Sequence, residues 1–126
     1  AKRYLLMEVK MDDSILKSIR KLVGAGDSEG PFDTDLIIYI NSVLMILNQI
    51  GVGKDGYSIS GEDDTWNDFL DGRTDLAGVK TYVSSRVRLL FDPPQNASVT
   101  QAINDTIQEL EWRLYAANNP ENTFKE

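Results

Sequence analysis

FDPPQNASVTQAINDTIQELEWRLYA, residues 91–116, contains the firmest helix stop and the clearest helix start in the chain. Asp92 precedes Pro93 and Pro94. Proline lacks the N–H that a helix interior needs and disfavours helical geometry in the residue before it, so a helix arriving at Phe91 ends there. Ser98, with Gln101 three residues on, forms a capping box and predicts a new helix from Ser98 to Ala116. At about 100° per residue, Val99, Ile103, Thr106, Ile107, Leu110 and Leu114 fall on one stripe of that helix. Trp112 falls on the opposite side, and Tyr115 is also displaced.

Working backward from the proline pair, Leu76 to Phe91 reads as a helix with Leu76, Val79, Val83, Val87 and Leu90 in its core stripe and with Tyr82 and Leu89 outside it. Two successive helices thus carry a core stripe plus large apolar residues that face elsewhere. Such a pattern predicts a second buried surface supplied by another chain. Periodicity alone gives equal weight to a tryptophan covered by a loop of the same chain.

The first half adds two helices and two loops. Asp12, Asp13 or Ser14 caps a helix that ends at Gly24, with Ile15, Ile19 and Leu22 as its apolar stripe and Lys17, Arg20 and Lys21 as solvated cations near its C-terminus. A glycine-rich loop follows, residues 24–31. Asp33 or Thr34 starts a second helix, apolar nearly all round, that stops at Gly51 and is expected either at the centre of the domain core or covered by a neighbouring subunit, the core being favoured. Val52 to Gly61 alternates around Tyr57 and Ile59 and predicts a small strand or extended arm. Glu62-Asp63-Asp64-Thr65 then caps a short helical turn holding Trp66, Phe69 and Leu70. The expected fold is mostly α: a small bundle of four to five helices with a short extended or β-hairpin-like insertion around 52–61. One domain spans 1–126, with a flexible tail over 118–126.

Composition narrows the chemistry. Among the 126 residues there is neither cysteine nor histidine, so disulfides, thiolate metal sites and Ser-His-Asp catalysis are excluded. No apolar run is long enough to span a bilayer, and Ala1 to Glu8 lacks the apolar stretch of a signal peptide, which predicts synthesis in the cytosol and no membrane partner. The net charge is −7, but residues 1–24 carry a surplus of three positive charges and leave −10 for the remainder. That balance opposes nucleic-acid binding through phosphates, although the basic N-terminal face remains available to an acidic surface. A magnesium-dependent hydrolase of nucleotides needs several converging carboxylates. Glu109 and Glu111 are two residues apart and diverge on a helix, while Glu62, Asp63 and Asp64 fall in a loop. A small helical regulatory module is the other alternative.

One further set of residues carries a likeness. Val79-Lys80-Thr81-Tyr82-Val83, Arg86-Val87-Arg88-Leu89-Leu90-Phe91-Asp92-Pro93-Pro94, and Ile107 with Glu109-Leu110-Glu111-Trp112-Arg113-Leu114 resemble the head-to-tail connector, or adaptor, proteins of tailed bacteriophages. Ile40-Asn41-Ser42-Val43, Leu47-Asn48-Gln49-Ile50-Gly51-Val52-Gly53 and Tyr57-Ser58-Ile59 resemble the branch found in phages of Gram-positive hosts. The resemblance covers most of residues 12–116. It implies a structural virion protein without enzymatic activity or cofactor, made in the host bacterial cytoplasm and placed in the neck. There a ring of twelve copies docks under the portal protein, receives a downstream neck or stopper protein, and lets double-stranded DNA pass without specific binding. It implies protein-interface roles for Tyr82, Arg86, Arg88, Leu89, Trp112, Arg113 and Tyr115, and for Phe124 in a tail that reaches the portal. Glu109 with Arg113 also reads as a simple intrahelical pair. An acidic lumen would repel DNA phosphates, with Glu62, Asp63, Asp64, Asp68 and Asp71 as candidates that also read as solvated caps.

Overall fold

The computed structural model describes residues 14–73 and 75–119. Among these residues five helices follow one another: α1 Ile15–Leu22, α2 Asp33–Gln49, α3 Trp66–Leu70, α4 Leu76–Phe91 and α5 Ala97–Asn118. The mostly helical bundle is as expected. α4 packs against α1, α2 and α5, and α1 also packs on α2. Phe32, just before α2, meets Phe91 at the end of α4 with ring centroids 5.2 Å apart, so these two helices run antiparallel.

α1 starts where the Ser14 hydroxyl accepts the Lys17 N–H at 3.2 Å. It ends as Ala25 N–H returns to the Arg20 carbonyl across Gly24, whose φ of 81° suits a residue without a Cβ. The buried face consists of Ile15, Leu16, Ile19 and Arg20, continued by Val23, while Leu22 is 55% exposed. The stripe is therefore rotated from the expected one, and Arg20 is not a solvated cation. It is 1% exposed and holds both oxygens of Asp33 (Nε to Oδ1 3.1 Å, Nη2 to Oδ2 2.9 Å) and Glu62 at 2.8 Å. Periodicity saw a charge at position 20; two carboxylates distant in sequence make its burial tolerable. Arg20 Nη1 is buried without a hydrogen-bond partner among the described residues.

α2 buries Leu36, Ile40, Val43, Leu44 and Leu47 but leaves Ile38 and Met45, seven residues apart, at the surface. It is a wall of the bundle rather than its centre. The segment from 52 to 61 forms no strand and is held by α2 side chains. Asn41 acts there as a surrogate backbone, accepting the Ile59 N–H at 2.8 Å and donating to the Ile59 carbonyl at 3.0 Å. Asn48, two turns on, donates to the carbonyls of Val52 and Lys54 and accepts the Gly56 N–H. At Gly53 any Cβ would enter the Phe69 ring, so the close approach requires glycine. Among the described residues the one β-type pairing is an isolated antiparallel bridge between Ser14 and Thr65.

Thr65 caps α3, and Trp66, Phe69 and Leu70 are buried in the core. The Trp66 indole N–H donates to the Ser18 hydroxyl at 2.7 Å. α5 begins at Ala97, one residue before the predicted start, with Asn96 rather than Ser98 as its N-cap. Asn96 Oδ1 accepts the N–H groups of Ser98 and Val99, and Gln101 turns to Asp105 instead of back to the cap. The helix also continues past Ala116 to Asn118, whose amide donates to the Gly51 carbonyl at 2.6 Å and accepts from Arg73 at 2.8 Å. Asn118 is thus an anchor, not the start of a tail.

Replacing Arg20 by methionine keeps the stem but leaves Asp33 and Glu62 without their cation. The expected loss at neutral pH is about 2 kcal/mol, below the value for a fully buried pair because Glu62 is a third open to solvent. The hydrogen bonds from Arg20 hold the Asp33 carboxyl below the usual aspartate value. A depressed carboxylate contributes its full stability above its unfolded pKa and loses it as pH falls through the folded one. The stability gap between wild type and Arg20→Met should therefore narrow in acid, which urea unfolding at stepped pH measures.

Candidate docking surface on α4 and α5

α5 lies antiparallel on α4 and joins it through a polar cluster. The Tyr82 hydroxyl donates to Glu111 Oε2 at 2.7 Å and accepts the Arg86 Nε–H at 2.7 Å, while Arg86 Nη2 reaches the same carboxylate oxygen. The guanidinium also lies over the Tyr82 ring, 5.4 Å from its centroid. Burial, aided by the Glu111 carboxylate, pushes the Tyr82 phenol far above its ordinary value, so it stays a neutral donor. Burial also works to raise the Glu111 carboxyl, but hydrogen bonds from Tyr82 and Arg86 and the nearby positive charge outweigh it and leave it lowered.

This geometry corrects the expectation for Tyr82. Its side chain is wholly buried and presents nothing to a second chain. A single-stripe wheel assigns one buried face to α4, whereas α4 sits among three helices and the side bearing Tyr82 is closed by α5. Leu89 is partly buried against the core, and Leu90, expected inside, is 52% exposed.

Leu90 is uncovered because it faces a cleft between α2 and α5. Their C-terminal ends are tied by Asn118 and Gly51, where the Asn118 amide occupies the space a Cβ would need. Between the two helices, over α4, lies a cleft of about 410 Å³. Ile46 stands on the α2 side, Leu89 and Leu90 lie on α4, Asn104 and Gln108 stand on the α5 side, and the Arg86–Glu111 pair sits between. The notable feature of α5 is how little it buries: of 22 residues only Ile107 and Leu114 are buried. Val99 and Thr106, expected in the core stripe, are at the surface, and Ile103 and Leu110 are only partly covered.

Trp112 is 50% exposed, with its ring 6.2 Å from that of the half-buried Tyr115. Arg88 is exposed on α4. Arg113 is exposed and pairs with Glu109 one turn back at 2.8 Å, the intrahelical pair that the spacing allows. Phe124 lies outside the described residues. Of the expected interface residues, Arg86 lines the cleft with Leu89, Trp112, Arg113 and Tyr115 continue along α5, and Arg88 stands apart. The acidic residues before α3 are divided. Glu62 belongs to the Arg20 cluster, Asp64 Oδ2 accepts the N–H groups of Ser60 and Gly61, and Asp63, Asp68 and Asp71 are exposed. Among the described residues no three acidic side chains converge as a metal site. Arg20, Asn41, Asn48 and Asn118 went unrecognised from sequence; only the Asn41–Asn48 spacing of seven in an apolar helix gave any local sign of them.

A family model described as phage connector protein matches residues 15–121. No curated protein and no solved structure matches the chain.

Tyr82→Phe removes the hydroxyl that links Arg86 to Glu111 and should cost about 1–2 kcal/mol. Trp112→Ala, at an open surface, should change stability by no more than about 0.5 kcal/mol. Urea denaturation of the two variants should rank them in that order.

Proposed function

Because this chain belongs to the phage connector protein family, a family of structural rather than catalytic proteins, we propose that it is a head-to-tail connector subunit. Copies of it form a ring of twelve under the portal, complete the DNA-filled head and offer the docking site for the next protein of the neck. Its place in the virion is the neck, between capsid and tail. Among the described residues no helix is long and apolar enough to cross a membrane.

One observation carries this reading: α5 spends 22 residues of helix to bury two side chains, and leaves Trp112 at the surface beside Tyr115. A helix held so sparsely by its own chain has most of its surface free for a partner. Tryptophan, large and rigid, is among the residue types that contribute most when covered at an interface. Arg86 and Glu111 already satisfy each other, so they shape the cleft and set its polarity without requiring a charged partner. The net charge of −7 supports passage of DNA, since an acidic channel wall repels phosphate where a basic one would hold it.

The test mixes the purified chain with purified portal and follows association by size-exclusion chromatography with light scattering. Wild type should co-elute with the portal as a multi-copy complex. Trp112→Ala should keep the wild-type circular dichroism spectrum and bind at least about tenfold more weakly, the loss expected of a covered aromatic anchor. Failure of the wild-type chain to bind either the portal or a neighbouring neck protein would sink the connector reading.

A further inference from the structure

Resting on the connector reading above, we infer that α5 is the joint between copies: in the assembled ring it leaves its own subunit and takes the same place on α4 of the next. The site itself fixes the occupant, because the surface that receives a neighbour's α5 is the one that α5 already fills in a single chain.

α5 is separable from the rest of the bundle. Among the described helices it rests substantially on α4 alone, and α1 and α2 stay packed on α4 without it. Ile107 and Leu114 are its only buried side chains, which keeps the cost of parting modest. Its firmest other contacts are polar: Glu111 with Tyr82 and Arg86, and Asn118 with Arg73 and the Gly51 carbonyl. All four of these partners precede residue 92, so a second copy presents the same set. Exchange therefore restores each contact that opening removes.

The connection into α5 favours opening. Asp92, Pro93, Gln95 and Asn96 are exposed, and among the described residues no backbone hydrogen bond ties α4 to α5 across the reversal. Pro93 and Pro94 each hold φ near about −65° and lean toward the extended polyproline form, while Asp92 stands at φ −149° and ψ 71°. A short, stiff linker of this kind opposes the tight reversal of a closed subunit and suits a helix directed to a neighbour. The donated helix and the receiving face of α4 are different surfaces, so one-way exchange lets each copy give one helix and accept another until the series closes as a ring. Tyr82, sealed within a single subunit, then meets Glu111 of the next copy, and the side of α5 that carries Trp112 stays free for the portal or the next neck protein.

The lack of native cysteine permits a direct test. A Cβ at Gly78 lies 3.8 Å from Leu110 Cδ2, so Gly78→Cys with Leu110→Cys puts one thiol on α4 and the other on the α5 that covers it. Ser85→Cys with Ala102→Cys repeats the test in the shallow groove between the same two helices, where neither side chain is buried. Assembled on purified portal and then joined by a short bis-maleimide, either variant should give a ladder of covalent multimers beyond two copies on a denaturing gel. Joined in dilute solution before assembly, it should run as a monomer, keep the wild-type circular dichroism spectrum and assemble at least about tenfold more weakly, because no fraction of the locked chain can release α5. Bands that go no further than two copies after assembly, or a locked chain that assembles like wild type, would overturn the exchange and leave the connector reading standing. A wild-type chain that assembles neither with the portal nor with itself would overturn both.

Discussion

Burial of α4 is the constraint from which the rest of the bundle follows. Val79, Tyr82, Val83 and Val87 are fully enclosed, and enclosing them takes α1, α2 and α5 together. A helix of 16 residues covered from three directions cannot be hidden by any one neighbour, so each of the other long helices is positioned by what it contributes to that cover. The Asp92-Pro93-Pro94 turn matters for the same reason. It ends α4 at the point where the chain must reverse for α5 to lie back along it.

Several polar side chains then do the work that backbone pairing does in a sheet. Asn41 and Asn48 supply donors and acceptors to a loop that has no strand beside it, and Asn118 and Arg73 bind the Gly51 turn. Arg20 joins α1, the start of α2 and the segment before α3 through two carboxylates. Such groups are costly to bury alone and specific when satisfied, so they select one arrangement of loops around an otherwise generic apolar core. The buried Tyr57 hydroxyl has no partner among the described residues; burial together with Asp64 and Asp68 pushes its pKa up to about 12, and its ring packs 5.6 Å from that of Phe69.

Where α4 is fully enclosed the molecule is closed, and at the cleft between α2 and α5 it is open. The cleft over Leu90 and the sparse burial of α5 share one origin: α5 is tied down at its C-terminal end and through Tyr82, Arg86 and Glu111, and has little beneath it elsewhere. A connector subunit needs both properties. Its core must be closed enough to fold, and part of its apolar surface must remain available to other virion components.

The sequence by itself determined the helical class, the order of the helices and most of their ends, because Pro93, Pro94, Gly24, Gly51, Ser14 and Thr65 act locally through backbone geometry and capping. It also placed Trp112 away from the core, since 100° per residue needs no knowledge of the neighbours. Tertiary structure alone decided which faces close. Tyr82 is buried because α5 covers one side of α4, and Leu90 is bare because it faces the cleft between α2 and α5. Arg20 is buried because Asp33 and Glu62, 13 and 42 residues further on, arrive beside it. Periodicity along one helix reports how many apolar faces it has, but which face is covered depends on where the other helices lie, and that is set by contacts between residues far apart in the chain.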